Sequence, residues 1–214
     1  LLPLNHNASL PDEQWKQFSD YIGPRQIERL WVVGSNEKTA PVIEESYKRF
    51  LAIMEKHFAN SPFILGQKPS SADFAIFGQL TQLIGFDPTS RNIAHEISKR
   101  TVAWINSMED LSGLKIENKE WLDVDSIPSS LKELFIEVGK VYVPALIANA
   151  KALENGDEAW ETEIDGVAWS QKAFPYQAKC LKWIREEFES LSEDDRGKVL
   201  EILDGSGCER LLKS

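Results

Sequence analysis

Histidine and cysteine carry much of protein catalysis and metal binding, and in this sequence they are few and scattered. His6, His57 and His95 show no HxxxH or HExxH spacing, which would place two imidazoles on one face of a helix. Cys180 and Cys208 form no CxxC pair and no zinc-ligand spacing. The GxSxG, P-loop and GxGxxG patterns are absent as well. We therefore predict no metal site and no catalytic residue, and two reduced thiols typical of a cytoplasmic protein.

The carboxylates are numerous, but their spacing selects no acid–base pair. Asp and Glu number 34 against 24 Lys and Arg, which gives a net charge of −10. We interpret them as a solvated acidic surface, which disfavours nucleic acid as a partner because phosphate contacts need clustered Lys and Arg. The longest uninterrupted apolar run, 141–148, is shorter than the about 20 residues that span a bilayer, so no membrane partner is expected either.

Helical periodicity runs through most of the chain and predicts an all-α protein. The first long helix is expected to begin at the Ser9 cap, to turn Trp15, Phe18 and Ile22 inward, and to end at Gly23. Further helices are predicted over 24–34, 41–58, 70–84, 88–108, 128–153, 175–191 and 192–205. The helix over 128–153 is expected to be kinked at Pro144. Residues 109–127 are predicted to be a loop.

One β signal stands within this helical pattern. Trp160, Thr162 and Ile164 alternate with acidic residues, and after Asp165-Gly166 the alternation resumes. An Asp-Gly pair between alternating runs predicts a short β-hairpin with a two-residue turn.

The most informative segment is Pro62–Leu80, which reads PFILGQKPSSADFAIFGQL. The Ser70 side chain can accept a hydrogen bond from the backbone N–H of Asp73, and the Asp73 carboxylate can accept one from Ser70, a reciprocal capping box. Such a cap contributes roughly 1 kcal/mol, and the carboxylate also lies at the positive end of the helix dipole. We expect Phe74 and Phe77 to be buried in the helix that follows.

This segment resembles the C-terminal helical domain of the glutathione S-transferase superfamily. The shared pattern is an aromatic-Leu-Gly turn followed by Pro-Ser-x-Ala-Asp-Phe, and Ser70 and Asp73 match the family's capping box, which opens a buried central helix. The resemblance implies a transferase-like helical bundle, with a C-terminal helical extension and one short β-hairpin. We expect residues 1–23 to form a helical segment or linker, 24–108 the helical core and 109–214 an extension packed on it.

The resemblance also implies a substrate-binding region. In the family, the first helices of this domain line the cleft for the electrophile, and here that region holds Tyr21, Arg25, Arg29 and Trp31. An arginine would attract an anionic substrate or a glutathione carboxylate, and Trp31 would stack on an aromatic ring. The alternative is that Trp31 belongs to the core and that the arginines are solvated or form structural ion pairs.

Glutathione is the cosubstrate that the family implies, and the thioredoxin-like half that binds it is not recognised in this sequence. Glu45-Ser46 matches the family's glutathione-binding dipeptide in letters only, because it lies inside an amphipathic helix. We expect that half to precede Leu1, so that this chain alone does not bind glutathione and the missing domain is a partner, with a homodimer also possible.

Three functions are considered, of which we predict the first and keep the second as its alternative. The first is a glutathione S-transferase-like protein whose helical domain forms the electrophile-side pocket for glutathione conjugation or glutathione-dependent reduction. The second is a non-catalytic protein–protein interaction module, which an exposed apolar patch would favour. The third is a carrier of a hydrophobic ligand in a helical pocket.

Overall fold

The structure, a computed structural model, describes residues 2–117 and 120–213. Leu1 and Ser214, the outer limits of the predicted segments, lie outside the described residues. The described part of the chain contains ten α-helices: α1 Leu2–His6, α2 Asp12–Ile27, α3 Ala40–His57, α4 Ser71–Leu83, α5 Pro88–Ile97, α6 Lys99–Met108, α7 Ser129–Val141, α8 Val143–Asn155, α9 Pro175–Ser190 and α10 Glu193–Leu203.

Two strands, β1 Ala159–Ile164 and β2 Val167–Lys172, form an antiparallel hairpin. Ile164 pairs with Val167, so Asp165 and Gly166 are the two turn residues. Their φ angles are 51° and 79°, the positive values that a twisted two-residue hairpin turn requires. The predicted fold class, an all-α bundle with one short β-hairpin, is confirmed.

The main core lies around α3, which packs against α5, α6 and α7. Its apolar stripe places Leu51 and Met54 in full burial, as the three- and four-residue spacing predicts. Leu51 belongs to a cluster with residues from four other segments: Phe63, Leu80, Ile84, Ala94, Trp104, Ile105 and Met108. Met54 belongs to a second cluster, with Ile64 and Leu131 of α7. The helix α3 therefore packs both against α5 and α6 and against α7.

The hairpin is held by a second core around α8, which packs against α9 and β1. Asn149 of α8 is fully buried, and its amide makes two hydrogen bonds to the backbone of Phe174. Its Oδ1 accepts from the Phe174 N–H at 2.7 Å, and its Nδ2 donates to the Phe174 carbonyl at 3.0 Å. These bonds satisfy the backbone N–H and C=O groups of Phe174, in the connection between β2 and α9. Trp160 of β1 also packs against α8.

Two predicted long helices are each divided in two. The segment 88–108 breaks at Ser98, whose Oγ accepts from the Thr101 N–H at 3.2 Å and donates to Glu55 at 2.9 Å. This side chain caps α6 while it bonds to α3, a tertiary contact that periodicity does not reveal. The segment 128–153 breaks at Tyr142, where Pro144 falls in the first turn of α8, a position that needs no backbone N–H.

The predicted inward face of the first long helix is wrong. The helix α2 continues through Gly23 and Pro24 to Ile27, and in the described structure none of its side chains is fully buried. Phe18 is 41% exposed, while Trp15 and Ile22 are half-buried. The main neighbour of α2 among the described residues is the short α1, so the apolar stripe has little to pack against.

The predicted burial of Phe74 is also wrong, since this side chain is 53% exposed. Phe77 is half-buried and Leu80 is buried, because α4 packs one face against α5 and α6. On the other face, a Cβ built on Gly78 would meet no described atom within 4 Å. The helix α4 is therefore a half-covered helix in the described structure, whereas the resemblance implied a fully buried one.

Candidate functional site

The turn before α4 is organised by the buried carboxylate of Asp73. Its Oδ2 accepts from the Ser70 N–H at 2.8 Å and from the Ser70 Oγ at 2.6 Å, while its Oδ1 accepts from the Ile64 N–H at 2.8 Å. In return, the Ser70 Oγ accepts from the Asp73 N–H at 3.4 Å. Three donors around one carboxylate fix the loop that leads into α4, which is a structural role rather than a chemical one.

The four residues predicted to bind substrate lie in the N-terminal part of the chain. Tyr21 and Arg25 stand one turn apart on α2, Arg29 follows the helix, and Trp31 lies in a short 3₁₀ helix, Leu30–Val33. All four are exposed, and Tyr21 and Trp31 expose 65% and 62% of their surface. The four residues are therefore near one another in the sequence, but their side chains are exposed and do not line an enclosed pocket.

This region carries a series of exposed large apolar side chains, here called the N-terminal apolar surface: Phe18, Tyr21, Ile27, Leu30, Trp31 and Val33. Monomeric soluble proteins rarely expose large contiguous apolar patches. The surface is joined to the hairpin at Gly34, which ends the 3₁₀ helix at φ 72°. A Cβ on Gly34 would overlap the indole of Trp169, so glycine permits this contact with β2.

A cleft of about 580 Å³ opens next along the chain, between α3, the start of α5 and the end of α7. Its wall is mostly apolar and aromatic, formed by Ala40, Ile43, Tyr47, Phe50, Leu83, Ile93, Leu134, Val138, Val141 and Tyr142. Ser35 also lines it, four residues after Trp31, so the chain itself limits their separation to about 14 Å. The volume and lining fit a small apolar ligand.

The polar groups of the cleft are held in defined protonation states. The hydroxyl of Tyr47 donates to the Ser90 carbonyl at 3.2 Å, and burial, with the nearby charge of Asp87, raises the pKa of Tyr47 to about 12. Asp87 caps α5 by accepting from the backbone N–H groups of Thr89 and Ser90. The hydrogen bonds from Ser90, and then that from Thr89, hold the pKa of Asp87 below its usual value. At neutral pH the cleft thus presents a phenol and an ionised carboxylate.

A charged cluster supports the far wall of the cleft. The carboxylate of Glu137, a buried residue of α7, accepts two hydrogen bonds of 2.8 Å from the guanidinium of Arg49. Arg49 and Lys140 also contact Asp165 of the hairpin turn, at 2.9 Å and 2.7 Å. The hydrogen bond from Lys140, assisted by the charge of Arg49, lowers the pKa of Asp165. The cluster therefore ties α3, α7 and the hairpin together beside the cleft.

The remaining titratable candidates serve the fold. The imidazole of His57 is buried between the Ser130 Oγ, at 2.9 Å from Nδ1, and the Phe63 carbonyl, at 3.2 Å from Nε2. The Sγ of Cys208 donates to the Phe135 carbonyl, and burial raises the pKa of this thiol. Over residues 2–117 and 120–213, no group of three His, Cys, Asp or Glu side chains is placed to hold a metal ion. No described helix is long and apolar enough to cross a membrane.

Sequence reasoning did not identify this cleft, because its walls come from three segments that are distant in sequence. The available signal was the spacing of Ile43, Tyr47 and Phe50 on α3, which are three or four residues apart as on a buried helix face. In the structure Ile43 is 40% exposed and the other two are half-buried. An apolar stripe that its neighbours cover incompletely is what leaves room for a ligand.

Comparison with known proteins gives one match. The family model described as the glutathione S-transferase, C-terminal domain, matches residues 31–119. No curated protein and no solved structure matches the chain.

Proposed function

We propose that this chain supplies the electrophile-binding side of a transferase-like protein, because the family model of the glutathione S-transferase C-terminal domain matches residues 31–119. The observation that carries the proposal is the apolar cleft between α3, α5 and α7. Its lining residue Ser35 lies four residues after Trp31 of the N-terminal apolar surface. The cleft holds the apolar body of the electrophile, and its reactive carbon faces the glutathione thiolate.

The chemistry divides between this chain and a glutathione-binding half. In conjugation, the thiolate sulfur forms a bond to the electrophilic carbon, and the leaving group departs with its electron pair. The thiol pKa must be lowered for this step. Tyr47 is not suited to that role, because its hydroxyl is committed to the Ser90 carbonyl and its pKa is raised to about 12. Thiol activation is therefore assigned to the thioredoxin-like half.

The N-terminal apolar surface is proposed as the place where that half packs. Its exposed aromatic and aliphatic side chains are what an interface between domains would bury. Arg25 and Arg29 would then attract a glutathione carboxylate or an anionic leaving group, and Tyr21 and Trp31 would contact the aromatic part of the substrate. Residues 1–214 alone are accordingly expected not to bind glutathione.

Calorimetry and NMR on residues 1–214 test the proposal with two separate ligands. Titration with 1,3-dinitrobenzene, an unreactive analogue of an aryl electrophile, should show binding, and titration with reduced glutathione should show none. The variant Ile43→Trp fills the cleft from a partly exposed position and should abolish dinitrobenzene binding.

The matched control is Ile136→Trp, an exposed isoleucine on α7 that does not line the cleft. This control should bind the analogue as the unchanged protein does. Equal loss in both variants, or no binding of the analogue to the unchanged chain, would remove the cleft from the mechanism. Micromolar binding of glutathione would refute the assigned division of labour.

A second candidate function, a non-catalytic interaction module, is favoured by the same exposed surface. If the N-terminal apolar surface joins two copies of the chain, sedimentation velocity should show a dimer that increases with concentration. Trp31→Glu should abolish this dimer, whereas Trp183→Glu on the exposed face of α9 should not. A monomer at all concentrations would count against association between copies.

A further inference from the structure

The charges that line the cleft all have one sign. Three carboxylates contribute to its wall, those of Glu44, Asp87 and Glu137, and among the described lining residues there is no lysine, arginine or histidine. The cations that pair with two of these carboxylates, Lys48 and Arg49, stand outside the lining. The described lining of the cleft therefore consists of apolar side chains, neutral polar side chains and carboxylates.

Of the three carboxylates, Asp87 is the one best placed to accept a hydrogen bond from a ligand. Its Oδ1 accepts hydrogen bonds from the backbone N–H groups of Thr89 and Ser90, at 3.0 Å and 2.9 Å. The Ser90 Oγ lies 2.9 Å from this oxygen and 2.6 Å from the Leu83 carbonyl, and its one hydrogen is shared between them. The Oδ2 of Asp87 takes no hydrogen bond within the described residues. The local bonds hold the side chain in place and keep it ionised, while one oxygen retains its capacity to accept a bond.

Glu137 contributes a second fixed negative group at the opposite wall. Its side chain is 10% exposed, and the bidentate pair with Arg49 prevents it from turning away. Each carboxylate oxygen has more than one lone pair, so an oxygen bonded to Arg49 can accept a further donor. Glu44 is exposed on α3, and its Oε1 lies 2.6 Å from the Nζ of Lys48.

The aromatic residues of the cleft wall also favour a cationic ligand. Tyr47, Phe50 and Tyr142 present rings whose faces are negative in their charge distribution, and such faces attract ammonium groups. An anion in the cleft would be placed beside these carboxylates and aromatic rings, and none of the described lining residues would offer it a positive charge. The cleft is thus complementary to a molecule with an apolar body and one positive charge.

We propose that the cleft selects an apolar organic cation, an aromatic or alkyl body that carries a protonated or quaternary amine. The proposal rests on the proposed function for the cleft as a ligand site, and it specifies the class of electrophile that the site admits. Neutral molecules of the same shape bind more weakly, and carboxylate anions bind most weakly.

Three probes of nearly identical shape test this selection: 4-phenylbutylamine, 4-phenylbutan-1-ol and 4-phenylbutyrate, which are cationic, neutral and anionic at pH 7. Calorimetric titration of residues 1–214 should give an affinity for the amine about ten-fold higher than for the alcohol, equivalent to about 1.4 kcal/mol, and the weakest binding for the acid. Ile43→Trp should abolish binding of all three.

The variant Asp87→Asn removes the negative charge but keeps the cap of α5, because asparagine caps helices as well as aspartate does. It should reduce the preference for the amine over the alcohol to about three-fold or less and leave the alcohol affinity unchanged. The control Asp123→Asn changes another capping aspartate outside the cleft lining and should leave the preference intact.

The outcomes separate this inference from the proposed function. Equal affinities for the amine and the alcohol would overturn cation selection while the cleft remains a ligand site. Amine binding that survives both Ile43→Trp and Asp87→Asn would show attraction to the acidic surface in general and would also overturn it. Failure of all three probes to bind would refute the ligand site itself, and with it the proposed function.

Discussion

Replacing Asp73 by asparagine should destabilise the protein by about 2–3 kcal/mol. The carboxylate accepts three hydrogen bonds in full burial, two of them from backbone N–H groups at 2.8 Å. Asparagine has the same shape, but its NH₂ group must face one of these donors, either at Ile64 or at Ser70. The charge-assisted bond to that donor is then lost and its N–H is left buried without a partner, a combined loss of about 2–3 kcal/mol.

The measurement is urea unfolding followed by tryptophan fluorescence and far-ultraviolet circular dichroism. At this chain length, 2–3 kcal/mol corresponds to a decrease in melting temperature of about 4–12 °C. Ser70→Ala should cost less, about 1 kcal/mol, because it removes the cap acceptor and one hydroxyl donor but leaves both backbone bonds to Asp73. Ser71→Ala, an exposed neighbour in the first turn of α4, is the matched control and should change the free energy of unfolding by less than about 0.5 kcal/mol.

Two results would refute this reasoning. If Asp73→Asn unfolds within about 0.5 kcal/mol of the unchanged protein, the carboxylate does not organise the turn. If Ser70→Ala destabilises as strongly as Asp73→Asn, the hydroxyl rather than the carboxylate is the centre of the hydrogen-bond network.

Three further predictions concern the parts that surround the cleft. Because Lys140 and Arg49 lower the pKa of Asp165 in the folded state, its stabilisation is present above about pH 4 and is lost as the pH falls through the folded pKa. Asp165→Asn, which tolerates the positive φ, should cost about 1 kcal/mol in urea unfolding at pH 7, and the difference should shrink as the pH is lowered below about 4. Gly139→Ala should destabilise the protein by about 1–3 kcal/mol, because the added Cβ would overlap the Ser206 carbonyl. Gly197→Ala, in open space on α10, should stabilise it by about 0.5–1 kcal/mol. Thermal unfolding of the two variants tests both expectations. A thiol reagent at pH 8 should modify the half-buried Cys180 first, and Cys208 should react at a comparable rate only in denaturant; equal rates in the folded protein would contradict the burial of Cys208.

Local patterns predicted the parts of the fold that depend on local interactions. The stripe of α3, the Asp165-Gly166 turn and the chain reversal after α8 at Gly156, which adopts φ 80°, each follow from interactions within a few residues. The break at Ser98 did not follow, because the side chain that holds it belongs to Glu55 on another helix. A helix end that a distant residue stabilises leaves no trace in apolar periodicity.

Burial was predicted less well than helix position. Phe18 and Phe74 have the spacing of core residues, yet both are exposed in the described structure. Periodicity states which side of a helix is apolar, but not whether another element is present to cover it. The cleft could not be predicted for a related reason, since its volume is set by how α3, α5 and α7 leave space between them.

The central claim is that the cleft between α3, α5 and α7 binds the apolar body of a substrate, and methyl NMR tests it most directly. On titration of residues 1–214 with 1,3-dinitrobenzene, the account predicts saturable shifts of the Ile43, Ile93 and Val138 methyl signals, and none of these shifts with reduced glutathione. Unchanged signals from these three residues at saturating dinitrobenzene would contradict the account.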